Sequence, residues 1–117
     1  MRRPPDLPTL RAAWWTLRAL RHVRRGLDDE SFRRPSIPAP PDVPVDAGRG
    51  VAAVLRRRPA SCLERALVVQ RWEAAHGRRR DVVIGVTAPA DFAAHAWLDG
   101  DPSQAGPFME LVRLPAE

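Results

Sequence analysis

The sequence has 117 residues, 44% of them hydrophobic and 28% charged, a size and composition that fit one globular domain and exclude two. All nineteen basic residues are arginine and the net charge is +5, but the arginines are spread along the chain. The sequence also has no zinc-ligand spacing, RNA-binding aromatic motif or helix-turn-helix pattern, so we expect no nucleic-acid partner. A single cysteine excludes an internal disulfide, and no apolar run reaches signal-peptide or membrane-spanning length, so we expect a soluble, cytoplasmic protein without stable membrane insertion.

The first predicted element is a helix over residues 8–27. Its apolar residues recur at steps of three, four and seven, which is a helical stripe: Leu10, Ala13, Trp14, Leu17, Leu20 and Leu27. Asp6 or Thr9 is suited to cap its start, and Gly26 to end it. Trp14 and Trp15 cannot lie on the same face of a helix, so we expect one to pack inward and the other to lie at a groove or an interface.

A proline-rich stretch over residues 28–49 follows, and its prolines exclude a regular helix or a central strand. We therefore expect a linker that wraps the rest of the protein. A short helix is predicted from Asp46 or Arg49 to Arg57, with Val51, Val54 and Leu55 on its buried side and Pro59 as its stop. This pattern divides the chain into a helix and linker over 1–49 and a core over 50–117.

A capping box predicts the start of the next helix. The Ser61 hydroxyl can accept a backbone N–H of the first turn while the Glu64 carboxylate reaches back to the N–H of Ser61. Cys62 would then lie in the first turn, in a helix that continues to His76 and ends at Gly77.

Three strands are predicted after this helix, over residues 81–87, 92–98 and 108–114, because these segments are apolar and partly β-branched. Within the second strand, alternation places His95 and Trp97 on one face and Ala94, Ala96 and Leu98 on the other. Asp99 and Gly100 form a tight-turn signal. We therefore predict an α+β fold with helices packed on a small antiparallel sheet.

Cys62 and His95 are the candidate catalytic pair. A cysteine in the first helical turn faces unpaired backbone N–H groups and the positive end of the helix dipole, which favour a thiolate. The order of a cysteine at a helix start and a histidine on a following strand suits thiolate attack on an acyl carbon, with histidine moving the proton. An inert buried cysteine and a satisfied core histidine are the alternatives.

A third residue should orient the imidazole. Asp99 lies four residues along the same strand, about 13 Å away, so we expect it not to reach His95. Asp101 follows the turn and comes near if the hairpin bends or the strand bulges. A regular hairpin would instead place Gln104 opposite His95. Asp101 is the preferred third catalytic residue, and Gln104 is its rival.

Three segments resemble the transglutaminase-like leader peptidases of lasso-peptide biosynthesis, in the type whose recognition and protease parts are separate proteins. They read Cys-Leu-Glu-Arg-Ala-Leu-Val-Val-Gln-Arg from Cys62, Val-Ile-Gly-Val from Val83 and Phe-Ala-Ala-His-Ala-Trp-Leu from Phe92. The similarity covers roughly residues 50–114. The family has a longer hairpin after its histidine, with the aspartate further along.

The resemblance implies a papain-like/transglutaminase fold and a cysteine protease core over 50–117 that removes the leader from a precursor peptide. Cys62 would be the nucleophile and His95 the base. A separate leader-recognition protein would present the precursor, and a cyclase, itself a possible partner, would then close the ring. No cofactor, metal or nucleotide is implied, and the backbone N–H of Cys62 is available to an oxyanion.

Two alternative functions are compatible with the same residues. A transglutaminase-like acyltransferase or amidase would use the same pair with a different acceptor. A non-catalytic peptide-binding module would keep Cys62 and His95 as relics.

Overall fold

A computed structural model describes residues 6–28, 35–87, 93–100, 106 and 108–116. The chain divides into two compact units, Met1–Ala60 and Ser61–Glu117. Among the described residues, no helix combines the length and the apolar character that crossing a membrane would require.

The first unit begins with helix α1, Leu7–Asp28. The prediction that Asp6 caps it is confirmed, since the Asp6 carboxylate accepts the backbone N–H of Thr9 at 2.9 Å. The prediction that Gly26 ends it is wrong, because the helix continues through Gly26 to Asp28. Gly26 instead allows a close approach, since a Cβ atom there would lie 2.7 Å from Cβ of Pro35.

The two adjacent tryptophans of α1 separate as predicted. Trp15 is 3% exposed, and its indole N–H donates to the carbonyl of Pro38 at 3.0 Å. Trp14 is 67% exposed. Seven residues form the buried face of α1: Thr9, Ala12, Trp15, Thr16, Ala19, Leu20 and Val23.

The described part of the proline-rich stretch has no helix or strand before a 3-10 turn at Val45–Ala47, and helix α2, Gly48–Arg57, follows directly. Val51 and Leu55 are buried as predicted. α2 lies so close to α1 that a Cβ atom on Gly50 would come within 2.3 Å of the Thr9 carbonyl oxygen.

The second unit contains helix α3, Cys62–Ala75, and strands β1, Val82–Val86, β2, Ala94–Leu98, and β3, Met109–Leu114. The strands form an antiparallel sheet in the order β2-β1-β3, and α3 packs against β2 and β1. The predicted α+β class is therefore confirmed.

The partner of the last strand differs from a simple hairpin progression. β3 pairs with β1, so that β1 is the middle strand and β2 has only β1 beside it among the described strands. In the pairing of β2 with β1, His95 lies opposite Gly85. Asp101 and Gln104 lie outside the described residues.

Polar contacts fasten α3 to one end of the sheet. The side-chain amide of Gln70, which is buried, donates to the carbonyls of Arg80 and Leu114, each at 2.8 Å. The Arg80 guanidinium also binds the Glu73 carboxylate, with Nη2 at 2.6 Å from Oε1 and 2.5 Å from Oε2. These contacts join the second half of α3 to the start of β1 and the end of β3.

We expect Gly50→Ala to destabilise the protein. The added methyl group meets the backbone of α1 and forces the two helices apart, a cost of about 1–3 kcal/mol that outweighs the gain in helix propensity of about 1 kcal/mol. Thermal unfolding followed by circular dichroism measures it. Ala52→Ser, an exposed change on α2, is the control; equal melting temperatures for the two variants would contradict the close approach.

Arg113 on β3 binds the carboxylates of Asp99 at 2.9 Å and Glu110 at 2.8 Å. Its hydrogen bond lowers the pKa of Asp99 below the usual 3.8. In Arg113→Met we expect the pKa of Asp99 to rise toward 3.8, as measured by NMR titration of the side-chain carboxyl carbon. A carboxylate with a lowered pKa stabilises the folded state above its unfolded pKa, so wild type loses this stabilisation as the pH falls through the folded pKa. Arg79→Met is the control, and an unchanged Asp99 titration in Arg113→Met would contradict the pairing.

Candidate active site

The position of Cys62 is determined by the capping box that begins α3. The Ser61 hydroxyl accepts the N–H of Glu64 at 3.1 Å, and the Glu64 carboxylate accepts the N–H of Ser61 at 2.7 Å. Both halves of the predicted box are therefore formed. Cys62 becomes the first helical residue, and its backbone N–H has no acceptor within the helix.

The sulfur of Cys62 contacts the backbone of β2. The N–H of Ala96 donates to Cys62 Sγ at a nitrogen–sulfur distance of 3.3 Å. The thiol is half-buried at this position. Because the Ala96 nitrogen is bonded to the carbonyl carbon of His95, this contact places the sulfur next to the His95 backbone.

The strand register explains why this N–H is available. Hydrogen-bonded and non-hydrogen-bonded pairs alternate between antiparallel strands. Thr87 binds Ala93, and Asp99 binds Asp81, through backbone hydrogen bonds of 3.0 and 2.9 Å. The pair of His95 with Gly85 therefore belongs to the bonded set and the pair of Ala96 with Ile84 does not, so the Ala96 N–H points away from β1.

Two aromatic rings flank the imidazole of His95. Its ring centroid lies 5.7 Å from Trp97, with the rings nearly parallel at 23°, and 5.1 Å from Phe108. His95 and Trp97 lie on the same face of β2, as predicted. Gly85 makes room for the indole, because a Cβ atom there would lie 2.7 Å from Cη2 of Trp97.

Sequence reasoning did not identify Phe108 or Gly85 as part of this environment. Gly85 could have been found from the pairing of β1 with β2, since a glycine within an apolar strand often marks a close approach. Phe108 precedes β3, and its proximity to His95 depends on a strand order that carries no local signal.

Of the three residues considered for orienting His95, only Asp99 lies among the described residues. Asp101 and Gln104 lie outside the described residues. The carboxylate of Asp99 binds Arg113 at the far end of β2, which agrees with the expectation that it does not serve His95.

The model of the transglutaminase-like superfamily matches residues 6–109, which is most of the chain. No curated protein and no solved structure matches this chain. The superfamily includes cysteine proteases and acyltransferases. From the extent of this match, the chain belongs to the transglutaminase-like superfamily.

Proposed function

We propose that this protein is a cysteine peptidase that removes the leader from a lasso-peptide precursor. The observation that carries the catalytic part is the 3.3 Å contact of the Ala96 N–H with Cys62 Sγ, beside His95. The substrate class is supported by the resemblance of the Cys62 helix and the Ala-His-Ala-Trp strand to leader peptidases. A separate recognition protein would bind the leader and present it in the cytoplasm.

In the first half of the reaction, the Cys62 thiolate attacks the carbonyl carbon of the amide between leader and core. The resulting oxyanion accepts the backbone N–H of Cys62, which the helix leaves without an acceptor. The imidazolium of His95 then gives its proton to the amine nitrogen of the core as the C–N bond breaks. The core departs as an amine, and the leader remains as a thioester on Cys62.

In the second half, neutral His95 takes a proton from water as the water oxygen attacks the thioester carbon. Collapse of this intermediate expels the Cys62 thiolate and releases the leader as a carboxylic acid. The aromatic rings of Trp97 and Phe108 lie beside the imidazole of His95. We propose that the carboxylate of Asp101 orients the imidazole, with the side-chain amide of Gln104 as the alternative.

Cys62→Ala and His95→Ala should each reduce cleavage of the precursor by at least about a thousandfold, because each removes one half of the nucleophile and base pair. The measurement is mass spectrometry of the precursor after incubation with the protease and the recognition protein. His22→Ala, an exposed histidine of α1, is the matched control and should retain activity.

Equal survival of the precursor with wild type and with Cys62→Ala would contradict the proposed peptidase. The mass of the released leader separates hydrolysis from acyl transfer. A leader that ends in a carboxylic acid supports the peptidase, whereas a leader joined to an added amine would assign acyltransferase activity instead.

Removal of the Ala96 N–H tests the contact to sulfur directly. Because Cys62 is the only cysteine, residues 1–61 can be ligated to a synthetic peptide of residues 62–117 in which an ester replaces the His95–Ala96 amide. We expect kcat/KM to fall about tenfold, since a hydrogen bond to a charged group is worth about 1.5 kcal/mol or more.

An ester between Ala93 and Ala94 is the matched control. It removes another N–H that points away from β1 and, like the first ester, weakens one carbonyl that accepts within the strand ladder. The kcat/KM of this control ester protein should stay within about twofold of the wild-type value, because changes away from specific contacts usually have small effects. Equal losses in both ester proteins would exclude a specific role for the Ala96 N–H.

A further inference from the structure

Helix α1 is apolar on two sides, and the structure buries only one of them. Trp14 and Leu10, which belong to the apolar stripe read from the sequence, are 67% and 52% exposed. At 100° per residue, these two side chains lie with Leu17 on the side opposite Ala12, Ala19 and the rest of the buried face. Neighbouring exposed apolar side chains on a soluble protein mark an interaction site more often than a single one does.

Two hollows flank the exposed indole of Trp14. One has a volume of about 460 Å³ and is lined in part by Leu17, Arg21 and Arg25. The other has a volume of about 350 Å³ and includes Leu10 and Arg11 in its lining. Trp14 and Arg18 contribute to both hollows. Trp14 therefore forms a ridge between two concave spaces, each of a size that accepts a large apolar side chain.

The charge around Trp14 is almost entirely positive. The two hollows include Arg11, Arg18 and Arg21, and their linings contain one carboxylate, that of Asp28. Within the described ranges, no carboxylate forms an ion pair with these three arginines. Guanidinium groups bind carboxylates with two parallel hydrogen bonds, so they remain available to an acidic ligand.

We propose that the face formed by Leu10, Trp14, Leu17, Arg18 and Arg21, the Trp14 face, docks an acidic amphipathic segment of a partner polypeptide. Apolar side chains of the segment enter the hollows on either side of Trp14, and its carboxylates bind Arg18 and Arg21. Leu17 in one hollow and Leu10 in the other offer contacts to aliphatic side chains beside the guanidinium groups. This combination favours a polypeptide over a nucleic acid, which has no aliphatic side chains to place there. This surface acts in binding and requires no catalysis by Cys62.

The test uses the full chain with Cys62→Ala and a fluorescently labelled synthetic helix of leucine and glutamate. Binding is measured by fluorescence anisotropy. We expect the peptide to bind, and two matched peptides to bind at least about tenfold more weakly: one with lysine in place of glutamate, which removes the charge complementarity, and one with serine in place of leucine, which removes the apolar anchors.

Variants of the chain locate the binding. Trp14→Ala should weaken binding by at least about tenfold, since buried tryptophans are frequent hot spots, and Arg18→Glu combined with Arg21→Glu should do the same through charge repulsion. Val45→Ala and Arg56→Glu alter an exposed apolar and an exposed basic residue outside both hollows and should leave binding unchanged. Circular dichroism verifies that the variants retain their helices.

Several results would overturn the proposal. Absence of binding by the leucine–glutamate helix is one, and equal binding by wild type and Trp14→Ala is another. Displacement of the peptide by a single-stranded oligonucleotide of equal charge at the same concentration as by unlabelled peptide would assign the face to charge alone. A Trp14-dependent dimer in sedimentation equilibrium would assign it to a second copy of the chain.

Discussion

The register of β1 against β2 is the constraint on which the candidate active site depends. In this register the His95 backbone forms hydrogen bonds with Gly85, and the N–H of Ala96 points away from β1, toward the sulfur of Cys62. A slip of one residue would exchange these roles and would also move His95 to the opposite face. The contact of the Trp97 indole with Gly85 favours the observed register, because any side chain in place of that glycine would collide with the ring.

The helix contributes a second, independent constraint. The capping box sets the residue at which α3 begins, and the contacts of Gln70 and Glu73 fix its second half to the sheet. With both halves of the helix held, the position of the first helical residue relative to β2 has little freedom. Gln70, the ninth residue of the segment that begins at Cys62, therefore supports the site from a distance, through the backbone carbonyls of Arg80 and Leu114.

Features encoded by neighbouring residues could be predicted from the sequence. The capping box, the start of α3 at Cys62 and the shared face of His95 and Trp97 each follow from spacing within one element. The pairing of β3 with β1 could not, because it depends on residues far apart in the chain, and the proximity of Phe108 to His95 depends on that pairing. Similarly, the apolar periodicity of α1 predicted a helix but did not indicate which of its two apolar sides is buried. Trp14 and Leu10 lie on the exposed side.

The Gln70 side chain has a consequence for how the second unit opens. Its amide group satisfies one carbonyl just before β1 and another at the end of β3, and it is buried while doing so. Fraying of either strand end would leave a buried donor without its acceptor, which costs about 1–3 kcal/mol. Separation of α3 from the sheet would expose both carbonyls at once. The amide protons of these three elements should therefore exchange with solvent through one shared opening rather than through local fraying.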